Sequence, residues 1–496
     1  MTTGRRYDVI VIGGGPGGLT CAALLAHQGL RTVLLEKNDR VGGKMMMASR
    51  DGFRYDLWPH GQVPMRGPAF LDAFRALGVE SEFKPALAPD DPREVASISY
   101  RARGWKDYRS IAVAQTMQDP TSFFDLWGIG DAERAKALAF LTEMVMMPPE
   151  KLDALDDVTM HDFLARHDVP WALYSYLAFH ANASLAEAID RVAASEQVKI
   201  MQQIALHGGG GYYKGGFGQP IEVLARAFAA HGGETVTRAR VERIAIENGR
   251  VTGVVTKDGR FDAPVVVSSA GLQPTVLKLV GEEHFEPAYV RRVKGLVPGW
   301  GFTGVRYFLS RPALRLPMYA VYADESWWNL ERFERARRGE IPDEVVLFIS
   351  VLSNYDPELA PPGKQVLIAG TICPPDPEAR EIEGLWRAMD RLLDRLLPEM
   401  RPAVEHQEYS GPAEVSAATR DSVLPGQGGE CVGLGAIVGQ CGRHKPSVEA
   451  PIPGLYYAGA DAGSAGMGTH QAADSGMKVA RLVAERHRLR KEGAGS

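Results

Sequence analysis

The chain has 496 residues, 56 basic and 61 acidic side chains, a net charge of −5, 45% apolar and 8% aromatic residues. That length supports about two or three domains with ample core, and the charge balance gives no footprint for nucleic acid. The four cysteines, Cys21, Cys373, Cys431 and Cys441, form neither a C-x-x-C pair nor a ligand set with histidine. No metal is expected, and a reducing, cytoplasmic setting is. No apolar run approaches the ~20 residues that span a bilayer, and the first one is too short for a signal-peptide core. The apolar fraction leaves peripheral membrane contact open.

Residues 8–43 read DVIVIGGGPGGLTCAALLAHQGLRTVLLEKNDRVGG. Val9–Ile12 predicts a strand, and Gly13-x-Gly15-x-x-Gly18, with Pro16 and Gly17 inside it, a tight turn. The Ala/Leu-rich segment predicts a helix, and the next apolar run a strand ending at Glu36. Gly13 permits the turn, Gly15 lets a pyrophosphate approach the backbone, and Gly18 lets the helix sit close to the sheet. The helix N-terminus offers free N–H groups to phosphates. Glu36 is placed to accept hydrogen bonds from an adenosine ribose. This fingerprint serves NAD and FAD alike. The stretch Glu36-Lys37-Asn38-Asp39-Arg40-Val41-Gly42-Gly43-Lys44 resembles the E-x-x-x-R-x-G-G segment of flavoproteins of the amine oxidase and phytoene desaturase superfamily. The resemblance implies FAD, with Lys37, Arg40, Gly42, Gly43 and Lys44 near its pyrophosphate.

Next comes Tyr55-Asp56-Leu57-Trp58-Pro59-His60-Gly61, where that superfamily shows an F-D-x-G-P-like loop close to the flavin. By resemblance, Pro59, His60 and Gly61 are cofactor contacts. Trp58 stands where a glycine is usual, and His60 adds a titratable group. A tryptophan narrows a channel, and an imidazole suits a smaller, polar-tipped substrate than a carotenoid. Residues 90–204 carry helical periodicity, as in Phe140–Met147 and Trp171–Phe179, and read as apolar core.

The Gly-rich run His207–Gly218 precedes a helix at Pro220–His231 and strands at Thr235–Ile246, Val251–Thr256 and Phe261–Ser268. Asn248-Gly249 and Asp258-Gly259 are hairpin turns between them. The run 208–218 lacks the last glycine of a second dinucleotide fingerprint and has no strand leading in, so no dedicated nicotinamide site is expected. In the family such a meander covers the adenosine half of FAD, which implies a backbone contact near Val241. Residues 291–410 predict strands at Gly301–Leu309, Pro317–Ala323, Val345–Leu352 and Lys364–Thr371 and a helix at Glu378–Leu397, a wall for a substrate cavity. Gly454–Asp461 predicts a strand, and Gly463–Gln471 leads into a helix to about Arg488. This resembles the terminal FAD motif of the same superfamily. Asp461 is implied to bind the ribityl chain, and Gly459, Gly468, Thr469, His470 and Gln471 to surround the flavin, whose reduced form a helix N-terminus stabilises.

The whole chain resembles the bacterial-type phytoene desaturase family. The expected fold is α/β: a Rossmann-like FAD-binding domain of the glutathione-reductase type (1–88, 205–290, 411–490) with an inserted α+β substrate domain (89–204, 291–410) and a flexible tail at 491–496. The expected chemistry is hydride transfer between a substrate C–H and flavin N5, desaturating or saturating a carbon–carbon bond of an apolar or alicyclic molecule. Oxygen and a quinone are both open as electron acceptor. His60 and His470 are candidate bases, and Tyr319 and Tyr322 candidate partners for a carbonyl oxygen. Cys431 and Cys441 are candidates for a covalent flavin link, although neither sits in a clear attachment motif. A flavin amine oxidase, with an aromatic cage and a lysine near the flavin, is the alternative. A non-catalytic prenyl-binding escort conflicts with intact cofactor motifs at both ends.

Overall fold

A computed structural model describes residues 5–58, 69–82, 96–119, 121–207, 212–463 and 468–494. Pro59, His60, Gly61 and residues 208–211 of the Gly-rich run lie outside the described residues. The apolar run Val9–Ile12 is the centre of a five-stranded parallel sheet, in the order Leu455–Tyr457, Val266–Ser268, Val9–Ile12, Thr32–Leu35, Glu234–Val236. The three inner strands are buried throughout, as a parallel sheet requires. The helix Pro16–His27 runs along the C-terminal helix Gly468–Ala494 and also packs on Gln219–Ala230. Glycines allow that first crossing. A Cβ on Gly476 would lie 2.3 Å from the Gly17 carbonyl oxygen, and one on Gly18 would lie 2.1 Å from that of Gly13.

Thr235–Ile246 is not one strand but two in different sheets: Glu234–Val236 ends the parallel sheet, and Val241–Glu247 opens the meander. Arg238, at φ 54°, turns the chain between them. Phe261–Ser268 divides likewise into Gly259–Asp262 and Val266–Ser268. β-Branched runs mark strands but not the sheet they join.

A seven-stranded mixed sheet has the order Val404–Ser410, Gly301–Leu309, Gln365–Cys373, Leu347–Ser350, Met318–Ala323, Ala96–Arg101, Arg109–Ala112. The last two strands correct the all-helical reading of 90–204. Ala96–Arg101 alternates buried and half-buried residues, the period-2 signature of a strand, and only then do helices follow. One sheet face packs on helix Ile382–Leu396 through Val305, Tyr307, Val321, Leu347, Ile349, Leu385 and Met389. The other supplies Ile98, Phe302, Met318, Ala320 and Phe348 to a cavity. The C-terminal helix also outruns its expected end and extends to Ala494. Charged residues near its end are spaced for support, with Arg488 4.0 Å from Glu492 at i,i+4.

Candidate active site

One cavity of about 540 Å³ runs from the parallel sheet to the mixed sheet. At its nucleotide end, Gly13 holds φ 90°, a turn that L side chains rarely adopt. Pro16 starts the first helix with no side-chain cap, so its first N–H groups are left for a ligand. A Cβ on Gly15 would meet only the Gly43 Cα, 4.0 Å away, which leaves the floor open. Glu36 is buried and lines the cavity. Its Oε2 accepts the Gly14 N–H at 2.8 Å and its Oε1 the Asn38 N–H at 2.8 Å. Four carboxylate lone pairs leave acceptor capacity for ribose hydroxyls. Val241 lines the same end. So do Lys37, Arg240 and Lys278, which converge on Asp421 at 3.2, 2.8 and 2.9 Å. Burial pushes the Asp421 carboxyl up, but hydrogen bonds from Lys278 and Arg240 and the Lys37 charge hold it well below its usual range.

Deeper in, the strand ending at Tyr457 delivers Asp461. Its Oδ2 accepts the Leu272 N–H at 2.8 Å, and Oδ1 accepts from the Arg420 guanidinium at 3.2 Å. Arg420 also donates to Glu430 at 2.8 Å, and Lys44 lies 3.3 Å from the same Glu430 oxygen. Two acids and two bases thus form a balanced, largely buried network, the arrangement that buried charge demands. Burial raises the Asp461 carboxyl, and Arg420 with the Leu272 N–H outweighs it, so the group stays below its ordinary range. Among the described residues, two that line the cavity carry buried polar atoms without a protein partner, Glu430 Oε2 and Trp58 Nε1. One acceptor and one donor left over in the cavity wall suit a large polar ligand. Together with the open glycine floor, Glu36 and Asp461, these residues fit FAD.

The remaining part of the cavity is an apolar arm. Its walls are Ile98, Phe302, Met318, Ala320 and Phe348 from the sheet and Phe123, Tyr176, Phe179, Ile200 and Ile204 from helices. Among the described residues, every charged lining residue belongs to the nucleotide end or the Arg420–Asp461 network; the lining residues from 96–204 and 302–348 include none.

The expected site residues divide accordingly. Gly13, Gly15, Pro16, Gly17, Glu36, Lys37, Gly43, Lys44, Val241, Gly459, Asp461, Gly468, Thr469 and His470 all line the cavity. Gly18 and Gly42 act one layer back: Gly18 keeps the helix close to the turn, and the Gly42 N–H donates to the Gly14 carbonyl at 2.8 Å. Arg40 is exposed and does not line the cavity, which corrects its assignment as a cofactor contact. Gln471 is buried and lines a separate, water-sized cavity with Ser184, Glu196, Cys441 and Lys445.

The tyrosines are also corrected. Residues 319 and 322 differ by three in a period-2 element, so they cannot share a face. Tyr319 packs with the core behind the sheet and its hydroxyl accepts the Leu316 N–H at 2.9 Å. Tyr322 is fully buried beneath Phe179, its hydroxyl accepting the Trp127 indole N–H at 3.0 Å. Neither lines the cavity. His470 does, and burial lowers its pKa to about 4, so it is neutral at pH 7. Cys431 lines the cavity while Cys441 does not. Burial pushes both thiols up to about 12, so neither is a thiolate at neutral pH.

Sequence reasoning missed Arg420, Asp421 and Glu430. They lie on irregular chain between the helix Pro412–Ala418 and the last strand, where no periodicity marks them. Their signal was only the adjacent Arg-Asp pair. It also missed His180, hidden in the apolar pattern of helix Trp171–Leu185.

Known proteins agree with this geometry. The family model for flavin containing amine oxidoreductases matches residues 16–484. The lycopene-forming phytoene desaturase of Pseudescherichia vulneris is 25% identical, with 94% of this chain and 95% of that protein covered. The all-trans-retinol 13,14-reductase of Homo sapiens is 25% identical, with 93% and 83% covered. Among solved structures, an oxidoreductase from Methanosarcina mazei superposes with a TM-score of 0.72 at 21% identity, covering 95% of this chain and 99% of that one; this likeness concerns the fold. No helix among the described residues is long and apolar enough to cross a membrane. The chain belongs to the flavin-containing amine oxidoreductase family and is an FAD-dependent oxidoreductase.

Proposed function

We propose that this enzyme moves two hydrogens across a carbon–carbon bond of an apolar or alicyclic molecule smaller than a carotenoid. The observation that carries the reading is the division of the cavity, charged at the nucleotide end and uncharged along the arm. An apolar molecule buried there gains roughly 25 cal/mol per Å² of surface removed from water. The mixed sheet and the helices of 113–207 form its substrate-binding region. Bound FAD supplies a two-electron acceptor or donor for hydride.

The chain's own residues supply position and field. The first helix N-terminus and Glu36 hold the adenosine diphosphate end. Asp461, braced by Arg420, holds the ribityl end. Trp58 narrows the cavity from its side, and the apolar arm excludes water and aligns the reacting C–H bond. His470 lines the cavity and, neutral from burial, is the candidate proton acceptor when desaturation releases a proton.

Amine oxidation is the second reading, favoured by the aromatic side chains Phe123, Tyr176 and Phe179 in the arm. Against it, the lining lysines Lys37 and Lys278 are paired with Asp421, and Lys44 with Glu430. Anaerobic mixing of the yellow holoenzyme with a library of enones, cyclic ketones, polyenes and amines tests the choice. Bleaching by an apolar carbon compound, or reoxidation of the dithionite-reduced enzyme by one, is the expected result. Bleaching by amines alone overturns it.

A further inference from the structure

The uncharged arm is not uniformly apolar. Helix Trp171–Leu185 places Tyr176, His180 and Ser184 at i, i+4 and i+8, one stripe of a helix, and all three line the cavity. The facing sheet contributes Ile98, Phe302, Met318, Ala320 and Phe348 besides Ser97, and Thr116 and Gln203 also line the cavity. The polar stripe on one wall faces a wall that is mostly hydrocarbon, which distinguishes two edges of whatever lies between.

His180 is the centre of the stripe. Its Nδ1 lies 3.3 Å from the Ser184 hydroxyl, and its ring stands edge-to-face against Tyr176 and Phe179, with centroids 4.6 and 5.4 Å away. The ring is half-buried and lines the cavity. Burial lowers its pKa to about 4, which keeps it neutral. A neutral imidazole has one donor and one acceptor nitrogen, and a serine hydroxyl can satisfy either. With Nδ1 engaged by Ser184, Nε2 is left to meet a carbonyl or a hydroxyl. Among the described residues, an ammonium would find no carboxylate in this arm, and a carboxylate no cation.

We infer that the substrate carries a neutral oxygen, carbonyl or hydroxyl, which His180 hydrogen-bonds, with Ser184 positioning the ring. This rests on the reading of the arm as the substrate slot. It adds that the substrate is an oxygenated apolar molecule and not a pure hydrocarbon, and that His180 is a specificity-determining residue.

The test is binding, read from the perturbation of the visible spectrum of bound FAD, so that it needs no turnover. Two carbon skeletons are titrated into the holoenzyme: farnesene, farnesol, farnesal and farnesoate, and limonene with carvone. Farnesol, farnesal or carvone is expected to bind about ten- to a hundredfold more tightly than its parent hydrocarbon, because a site built to hydrogen-bond an oxygen rejects the analogue that lacks it. Farnesoate is expected to bind worse than farnesol. In His180→Phe the preference should collapse to within about threefold; His180→Gln should restore part of it; and Ser184→Ala should lose part of it while keeping FAD. If His180→Phe fails to retain FAD, the Gln and Ala variants carry the comparison. Equal binding of hydrocarbon and oxygenated partner, tighter binding of farnesoate, or a preference unchanged in these variants overturns the inference while leaving the slot intact. Failure of every ligand to perturb the flavin overturns the inference together with the reading of the arm.

Discussion

At the residue scale, the nucleotide end depends on single groups with two duties. Glu36 accepts two backbone N–H groups and, in the proposed binding mode, offers its remaining lone pairs to a ribose. Glu36→Gln keeps one acceptor oxygen and loses the charge, so FAD affinity should fall by about tenfold. Glu36→Ala should also orphan the Gly14 and Asn38 N–H groups. The loss there should reach about a hundredfold, with the apo-protein destabilised by ~1–3 kcal/mol. Fluorescence titration of apo-protein with FAD and a melting curve of each variant check this; wild-type affinity in Glu36→Ala contradicts the role.

The buried histidines give a signed pH dependence. His180 and His470 have folded pKa values near 4, against an ordinary 6.5. Between those values the unfolded chain binds a proton on each and the folded chain does not. Stability therefore rises with pH across this window and is lost as pH falls through it, by up to about 1.4 kcal/mol per pH unit per histidine. Glu187, pushed up to about 7 by burial, acts in the opposite direction between its ordinary value and pH 7. The clean measure is therefore a difference: the melting temperature of His180→Gln should fall less steeply than that of wild type between pH 6.5 and 4. Parallel curves would contradict the buried, neutral imidazole.

At the element scale, the contact of the first and last helices joins the two ends of the chain behind the cofactor site. Gly476→Ala would put a methyl 2.3 Å from the Gly17 carbonyl oxygen, which the backbone must relieve. The expected cost is ~1–3 kcal/mol, with weaker FAD binding because the Pro16 helix terminus shifts. Thermal unfolding and FAD titration of that variant check it, and an unchanged melting temperature would mean that the helices have slack. Much of this architecture was legible. The first βαβ unit, the hairpin turns and strand Gly301–Leu309 follow from glycine placement and alternation. What was not legible depended on which sheet a strand joins, as at Glu234–Val236 and Val241–Glu247, and on strands hidden in a segment dominated by helices, as at Ala96–Arg101. Strand propensity is local, whereas sheet membership is decided by tertiary pairing.

The site shows the same limit. Residues tied to a backbone conformation, such as Gly13, Gly15 and Gly43, can be recognised from spacing. Arg420 and Glu430 matter only because folding brings them to Asp461, and nothing in their local sequence announces that. The tyrosine error had a local remedy, since alternation alone separates Tyr319 from Tyr322, but alternation does not say which face holds the cavity.

At the scale of the whole molecule, the parallel sheet borders the charged end of the cavity, the mixed sheet and helices border the arm whose described lining is uncharged, and the Arg420–Glu430–Asp461 network lines the cavity between them. The central claim is that this arrangement performs carbon–carbon hydrogen transfer on a small apolar molecule. The most direct measurement is the mass of the product formed in a single anaerobic turnover with whichever library compound changes the flavin colour. A change of two hydrogens with the carbon and nitrogen counts unchanged is the expected result. Loss of an amino group as ammonia, with an aldehyde or ketone as product, would contradict it.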